Sequence, residues 1–377
     1  MADHALRNRS TKSSSSCSSS SSSSSTDVKD DGGDDDGLRL ISHQLPNRGP
    51  ARGALAIASI FLCMVVGPAI PGLCLTLWLW FGYGKAAALL AAAVALSMAA
   101  SRHSPAWCRF YISAAGWFKK GVHIHMEKRA LAAIAASPSM WCMHPHGTSI
   151  GFGFSLNGAV RLRAEDEATF LPPEFTESVS VERCRRADGV QAPVLFRIPL
   201  LRSALLGFGC CTPATKRDMG RLFSRKIDFG ILPGGMEEVA LYTRGRERVY
   251  LRKRAGFIKY ALQHGYLVQP AYTFGECDLY TSLQAGRAVR MWMLRALGFV
   301  VPIFWGPYWW CLGAFFLPRR DVPLHTVVGS PLKLPTIAEP TTEDVALWHG
   351  RYVAAITEIF DAYKGRFGYG DRTLEVV

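Results

Sequence analysis

The chain has 377 residues, 49% of them hydrophobic, and a formal charge of +13. That length holds one large catalytic domain with extensions or two smaller domains. The ten cysteines are scattered without a Cys-x-x-Cys pair, which speaks against a disulfide framework and for reduced cytosolic thiols. Residues 1–52 carry seven Lys/Arg and seven Asp, so the positive excess lies beyond residue 52, where it would serve anionic lipid or a polyanionic small substrate. The basic residues flank apolar sequence and form no separate face, which argues against nucleic acid.

Residues 1–52 read as a disordered Ser/Asp-rich tail. Residues 13–25 are serine except for Cys17, and an Asp/Gly run follows; such sequence cannot bury enough apolar surface to offset its chain entropy. No apolar core near Met1 marks a signal peptide. Between Arg52 and Arg102 the only charge is Lys85. About 20 apolar residues cross a bilayer, so residues 53–101 predict a transmembrane or re-entrant hairpin. Pro68 and Pro71 with Gly67 and Gly72 offer one bend, and Gly82-Tyr83-Gly84-Lys85 another. Basic residues on both flanks predict that the chain returns to the cytosol.

Residues 102–377 read as one α/β domain. Strands are predicted over 140–143, 194–196, 229–232, 266–274 and 326–328. A helix is expected over 255–264 with Gly265 as its C-cap, and an amphipathic helix over 343–364. Residues 296–318 are rich in Trp and Phe, which fits an interfacial element, an acyl-chain wall or ordinary core.

The tetrapeptide His144-Pro145-His146-Gly147 follows a predicted strand. Proline fixes the backbone between two imidazoles, and Gly147 allows a sharp turn or close approach of a substrate. A histidine so placed is a candidate general base. His123 and His125 precede it, but no Asp, Glu or Cys at ligand spacing accompanies the four histidines, so no metal is expected. Acyl transfer to a hydroxyl needs a base and a group that orients it. Gly234-Gly235-Met236-Glu237-Glu238, after another predicted strand, supplies Glu238 as that acid. Gly234 and Gly235 offer backbone N–H groups for an oxyanion; a plain turn before an acidic helix start is the alternative. Arg244, Arg246, Arg248, Arg252, Lys253 and Arg254 then precede a helix N-terminus, a natural phosphate site or a solvated basic loop.

On these residues the chain resembles the type 2 diacylglycerol O-acyltransferase family, which includes monoacylglycerol and wax-alcohol acyltransferases. The matching motifs run in order: His144 to Gly147; Pro199 with Arg202; Gly234-Gly235-x-x-Glu238; Arg254-x-Gly256-Phe257 through Pro270 to Phe274-Gly275-Glu276; and Val327-Val328-Gly329-x-Pro331. The resemblance implies a glycerolipid-acyltransferase-like α/β domain in an endoplasmic-reticulum membrane enzyme, often on lipid droplets. It implies transfer of an acyl group from fatty acyl-CoA to diacylglycerol, with no cofactor beyond acyl-CoA as co-substrate; a homo-oligomer is left open. His146 is then the base, with His144 and Glu238 beside it. Gly147, Gly234, Gly235, Arg252, Lys253, Arg254 and Glu276 are the substrate-binding candidates. In the distantly similar glycerophospholipid acyltransferases an Asp follows the His by five positions; here that position is Gly151, and Glu238 is the candidate replacement. Cys142 keeps a covalent route open. The family's Tyr-Phe-Pro element is absent, which leaves monoacylglycerol or a long-chain alcohol as alternative acceptors. A non-catalytic, membrane-anchored lipid-droplet protein is the alternative of another class.

Overall fold

The long apolar run of β8 (Leu267–Phe274), buried at every position, is the kind of strand that sits inside a sheet covered on both faces. The computed structural model describes residues 40–99, 102–148, 150–163, 173–297, 302–311 and 314–377. The expected tail over 1–39 lies outside the described residues. Nine strands form the main sheet in the order β1 (Leu40–Gln44), β2 (Val122–Glu127), β11 (Leu324–Val328), β8, β3 (Ser139–His144), β6 (Phe229–Ile231), β4 (Asp188–Gln191), β5 (Cys211–Pro213), with β12 (Leu332–Lys333) paired to β8. The run from β8 to β5 is parallel throughout, so the carboxyl ends of these strands share one edge. In open parallel sheets that edge is where ligands bind.

The strands expected around 140–143, 229–232, 266–274 and 326–328 are present. The one expected over 194–196 is instead a 3₁₀ turn, Pro193–Arg197: proline has no N–H to give a ladder and fixes φ for a turn. Part of the expected tail also differs. Residues 40–44 are an edge strand antiparallel to β2, and the Ser42 hydroxyl lies 2.6 Å from His125 Nδ1.

The charge-free segment forms α1 (Pro50–Leu79) and α2 (Gly84–Ala99), with the reversal at residues 80–83. Of the two expected bends, the Gly82 region is the one used. The helix runs through Pro68 and Pro71, each of which removes one backbone bond without ending it. At about 1.5 Å per residue, α1 is about 45 Å long, and it alone among the described helices is long and apolar enough to cross a membrane. Its first half is part of the core. Ala56, Ile57, Ile60 and Phe61 are buried, and Phe61 contacts the rings of Phe304, Phe316 and Tyr280. Gly53 and Gly67 lie against the backbone at Trp117 and Pro199, with no room for a side chain. The first half of the segment expected to be a hairpin therefore packs into the core of the α/β domain. Farther along, Leu62, Val65, Leu73, Trp78 and Trp80 are exposed.

Five more helices matter for the site: α3 (Phe152–Asn157), α4 (Leu201–Phe208), α5 (Gly235–Leu241), α6 (Gly256–His264, ended by left-handed Gly265) and α7 (Thr342–Tyr363). A capping box of Thr341 and Asp344 starts α7. Its buried stripe of Tyr352, Ile356, Ile359, Phe360 and Tyr363 packs on the sheet beside β8 and β3.

Candidate active site

The end of β3 delivers His144 and, across a cis His144–Pro145 bond, His146. The end of β6 leads through Pro233 into α5, which carries Glu238. Parallel pairing of β3 with β6 brings these two strand ends side by side. The Glu238 carboxylate is almost fully buried. One oxygen accepts the His146 backbone N–H at 2.5 Å, and the other accepts the Tyr250 N–H at 2.9 Å. The second oxygen also lies 3.7 Å from His144 Nδ1. Glu238 is the acid expected from the sequence to orient the His146 imidazole. In the structure it holds the His146 main chain and faces the His144 ring.

The two histidines have different surroundings. His144 is enclosed between Glu238 and the Tyr352 hydroxyl, which lies 3.0 Å from its Nε2. His146 lies on the wall of a cavity of ≈ 440 Å³. Burial lowers the His146 pKa from its ordinary value, and the Glu238 charge offsets only part of this. Burial alone would raise the Glu238 pKa; the His144 ring and the N–H groups of Tyr250 and His146 outweigh it and hold the carboxyl below its usual value. The pair therefore presents a neutral imidazole to the cavity over an ionised, fully engaged carboxylate.

The cavity wall is mainly apolar. Ile60, Met64 and Pro68 of α1 form one side, and Val194, Leu195 and Ile198 with Leu201, Leu205 and Phe208 of α4 form another. Met236 and Val239 of α5, Leu232 and Ile150 enclose the end shared with His146, and the few polar groups include Thr148, Ser155 and Gln191. The volume falls in the range of about 300–1,000 Å³ typical of small-molecule sites. Pro302, from the aromatic-rich segment, also lines it, while Trp309 and Trp310 are exposed.

The expected substrate-binding residues do not line this cavity. Gly147, at φ +73°, makes room for the Glu276 carboxylate, which a Cβ there would meet at 2.6 Å. Glu276 itself accepts the N–H groups of Phe152 and Gly153 at 3.0 and 2.8 Å. Burial raises its pKa to about 7. It caps α3 below the His loop and takes a positioning role. Gly234 makes room for Glu238 in the same way. The Gly235 N–H is committed to the Leu232 carbonyl at 3.0 Å, so it is not a free oxyanion donor. Arg252 and Lys253 are exposed, and Arg254 pairs with Glu237, next to Glu238 on α5. Arg246 and Arg248 pair with Glu375, and Arg244 lies 3.3 Å from the Thr281 hydroxyl. Cys142 is buried, its thiol pushed well up by burial, and it is not on the cavity wall. His123 and His125 stand on β2 beside His325, apart from the His144 and His146 pair, so the four histidines do not form one cluster.

Tyr352 and Thr148 were not singled out in the sequence, and the segment 189–211 was not read as a cavity wall. A tyrosine inside an apolar helix stripe was the available signal, because a buried hydroxyl requires a partner.

Comparison with known proteins bears on the family of the chain. A family described as "Diacylglycerol acyltransferase" matches residues 179–377, more than half of the chain. The match contains Glu238, Glu276 and Tyr352 and begins after the His motif. Diacylglycerol O-acyltransferase 1 of Eremothecium gossypii is 33% identical over 189 residues, covering 48% of this chain and 41% of its own. Diacylglycerol O-acyltransferase 2 of Bos taurus is 34% identical over 181 residues, covering 46% and 50%. Acyl-CoA wax alcohol acyltransferase 1 of Homo sapiens is 33% identical over 180 residues, covering 46% and 54%. The chain spans about half the length of the curated relatives it matches. With a histidine at the carboxyl edge of a parallel sheet, a Gly-Gly-x-x-Glu helix behind it and this extended match, the chain belongs to the diacylglycerol acyltransferase family.

Proposed function

We propose that the protein transfers a fatty acyl group from acyl-CoA to a lipid hydroxyl, with diacylglycerol as the acceptor and triacylglycerol as the product. The observation that carries this reading is His146, a half-buried imidazole on the wall of an apolar cavity bounded by the membrane-length helix α1. The acyl chain would lie in the cavity, where each CH₂ removed from water contributes about 0.8 kcal/mol. The acceptor hydroxyl would approach His146 from the lipid side. The imidazole takes its proton as the oxygen attacks the thioester carbon, the C–S bond breaks, and coenzyme A leaves as the thiol with the proton held on His146. Arg252, Lys253 and Arg254, exposed or at the rim of α5, are assigned to the coenzyme A phosphates. The Thr148 hydroxyl, on the same wall as His146, is the side chain assigned to the developing oxyanion.

The exposed apolar half of α1 and the basic flanks support an integral protein of the endoplasmic reticulum or lipid-droplet surface with its catalytic unit in the cytosol. Membranes containing the protein, offered labelled acyl-CoA with diacylglycerol, monoacylglycerol or a long-chain alcohol, test the assignment. Labelled triacylglycerol as the main product supports diacylglycerol. A main product of diacylglycerol or wax ester moves the acceptor within the family, and no ester product with any acceptor rejects acyl transfer.

A further inference from the structure

The site holds a second histidine, which is fully buried and does not reach the cavity, and its hydrogen-bonding partner comes from the far end of the chain. Tyr352, fully buried on α7, places its hydroxyl 3.0 Å from His144 Nε2 and 3.4 Å from the Cys142 carbonyl. The Phe257 and Tyr352 rings pack in a T-shaped arrangement, with centroids 5.0 Å apart, so the hydroxyl is fixed by packing. A tyrosine hydroxyl has one proton to donate. The shorter contact is the one to the imidazole, and 3.4 Å is long for a hydrogen bond between oxygens. The O–H therefore donates to Nε2, and the ring proton belongs on Nδ1. That nitrogen faces the Glu238 carboxylate at 3.7 Å, too far for a hydrogen bond but within reach of its charge. The opposite tautomer would aim a bare Nδ1 lone pair at the anion. Glu238 in turn holds the His146 N–H.

We propose that Tyr352 is a positioning residue: it fixes the His144 ring with Nδ1–H toward Glu238, and so holds the carboxylate that sets the His146 backbone. The inference rests on the reading of His146 as the base. It assigns His144, expected above to share the catalytic work, a role in support of His146.

Two measurements on the full-length protein test it. The first needs no activity. In protein labelled with ¹⁵N at histidine, the His144 ring, identified by the signals lost in His144→Asn, should appear with a protonated Nδ1; a neutral ring protonated on Nε2 would overturn the proposal. The second is a kinetic cycle of wild type, Tyr352→Phe, His144→Asn and the double variant. Tyr352→Phe keeps the ring and its packing and should lower kcat roughly tenfold, the worth of one buried hydrogen bond, with the KM for acyl-CoA unchanged. In the His144→Asn background the same change should have no further effect. An equal loss in both backgrounds, or no loss in either, would show that the hydroxyl does not act through His144. If wild type itself transfers no acyl group, the proposed reaction fails while the ring-proton measurement still decides the tautomer.

Discussion

A Cβ at Gly234 would fall on the Glu238 carboxylate, so Gly234→Ala should push that side chain off the His146 N–H. A hydrogen bond to a charged acceptor is worth about 1.5–3 kcal/mol, and activity should drop by roughly 10- to 100-fold while the protein stays folded by thermal unfolding. Unchanged activity would remove Glu238 from the site. The pH dependence follows from His146. As the proposed base, His146 would work only when neutral, and burial lowers its pKa below the ordinary value of about 6.5. Transfer should be level through neutral pH and fall only on the acid side, with a midpoint in kcat/KM below about 6.5; a midpoint above neutrality would contradict the burial of the ring. At this scale the sequence showed His146 and Glu238 each following a strand, and parallel pairing of those strands brings their ends side by side. It did not give the atoms: that Glu238 grips main chain, and that Glu276 caps a helix, depend on loop geometry that spacing does not encode. Tyr352 lies in the helix expected over 343–364, and the partner of its hydroxyl comes from a strand 208 residues earlier.

The half of α1 that enters the core rests on glycines placed where backbone meets backbone. At Gly53 any side chain would strike the Trp117 main chain. Gly53→Val should therefore cost about 1–3 kcal/mol, read as a lowered midpoint of thermal unfolding in detergent; an unchanged midpoint would contradict the packing. The helices of this segment were legible from its lack of charge. The position of the turn was not, because proline within an apolar helix can lie inside it as readily as end it. The edge strand β1 escaped notice for a different reason. Its sequence Leu-Ile-Ser-His-Gln shows no clear alternation, and its place is set by pairing with β2, 78 residues further on, not by local pattern.

For the molecule as a whole, the sheet places the base, the apolar cavity runs from it, and α1 forms a wall of that cavity while extending into the region of exposed apolar side chains. On the proposed function, one helix would take part in both anchoring and substrate enclosure. If the acyl chain occupies the cavity, enlarging a wall residue away from the His loop should act on chain length. Cys211, half-buried on that wall, is suited to this: Cys211→Trp should reduce transfer from long-chain acyl-CoA by roughly tenfold and spare short-chain donors. Equal loss for every donor would place the chain elsewhere. The measurement that bears most directly on the account is neutral lipid in a cell unable to make triacylglycerol, expressing either the wild-type chain or His146→Ala at matched levels in the membrane fraction. The account predicts that triacylglycerol returns with the wild type and not with the variant; triacylglycerol restored equally by both would contradict it.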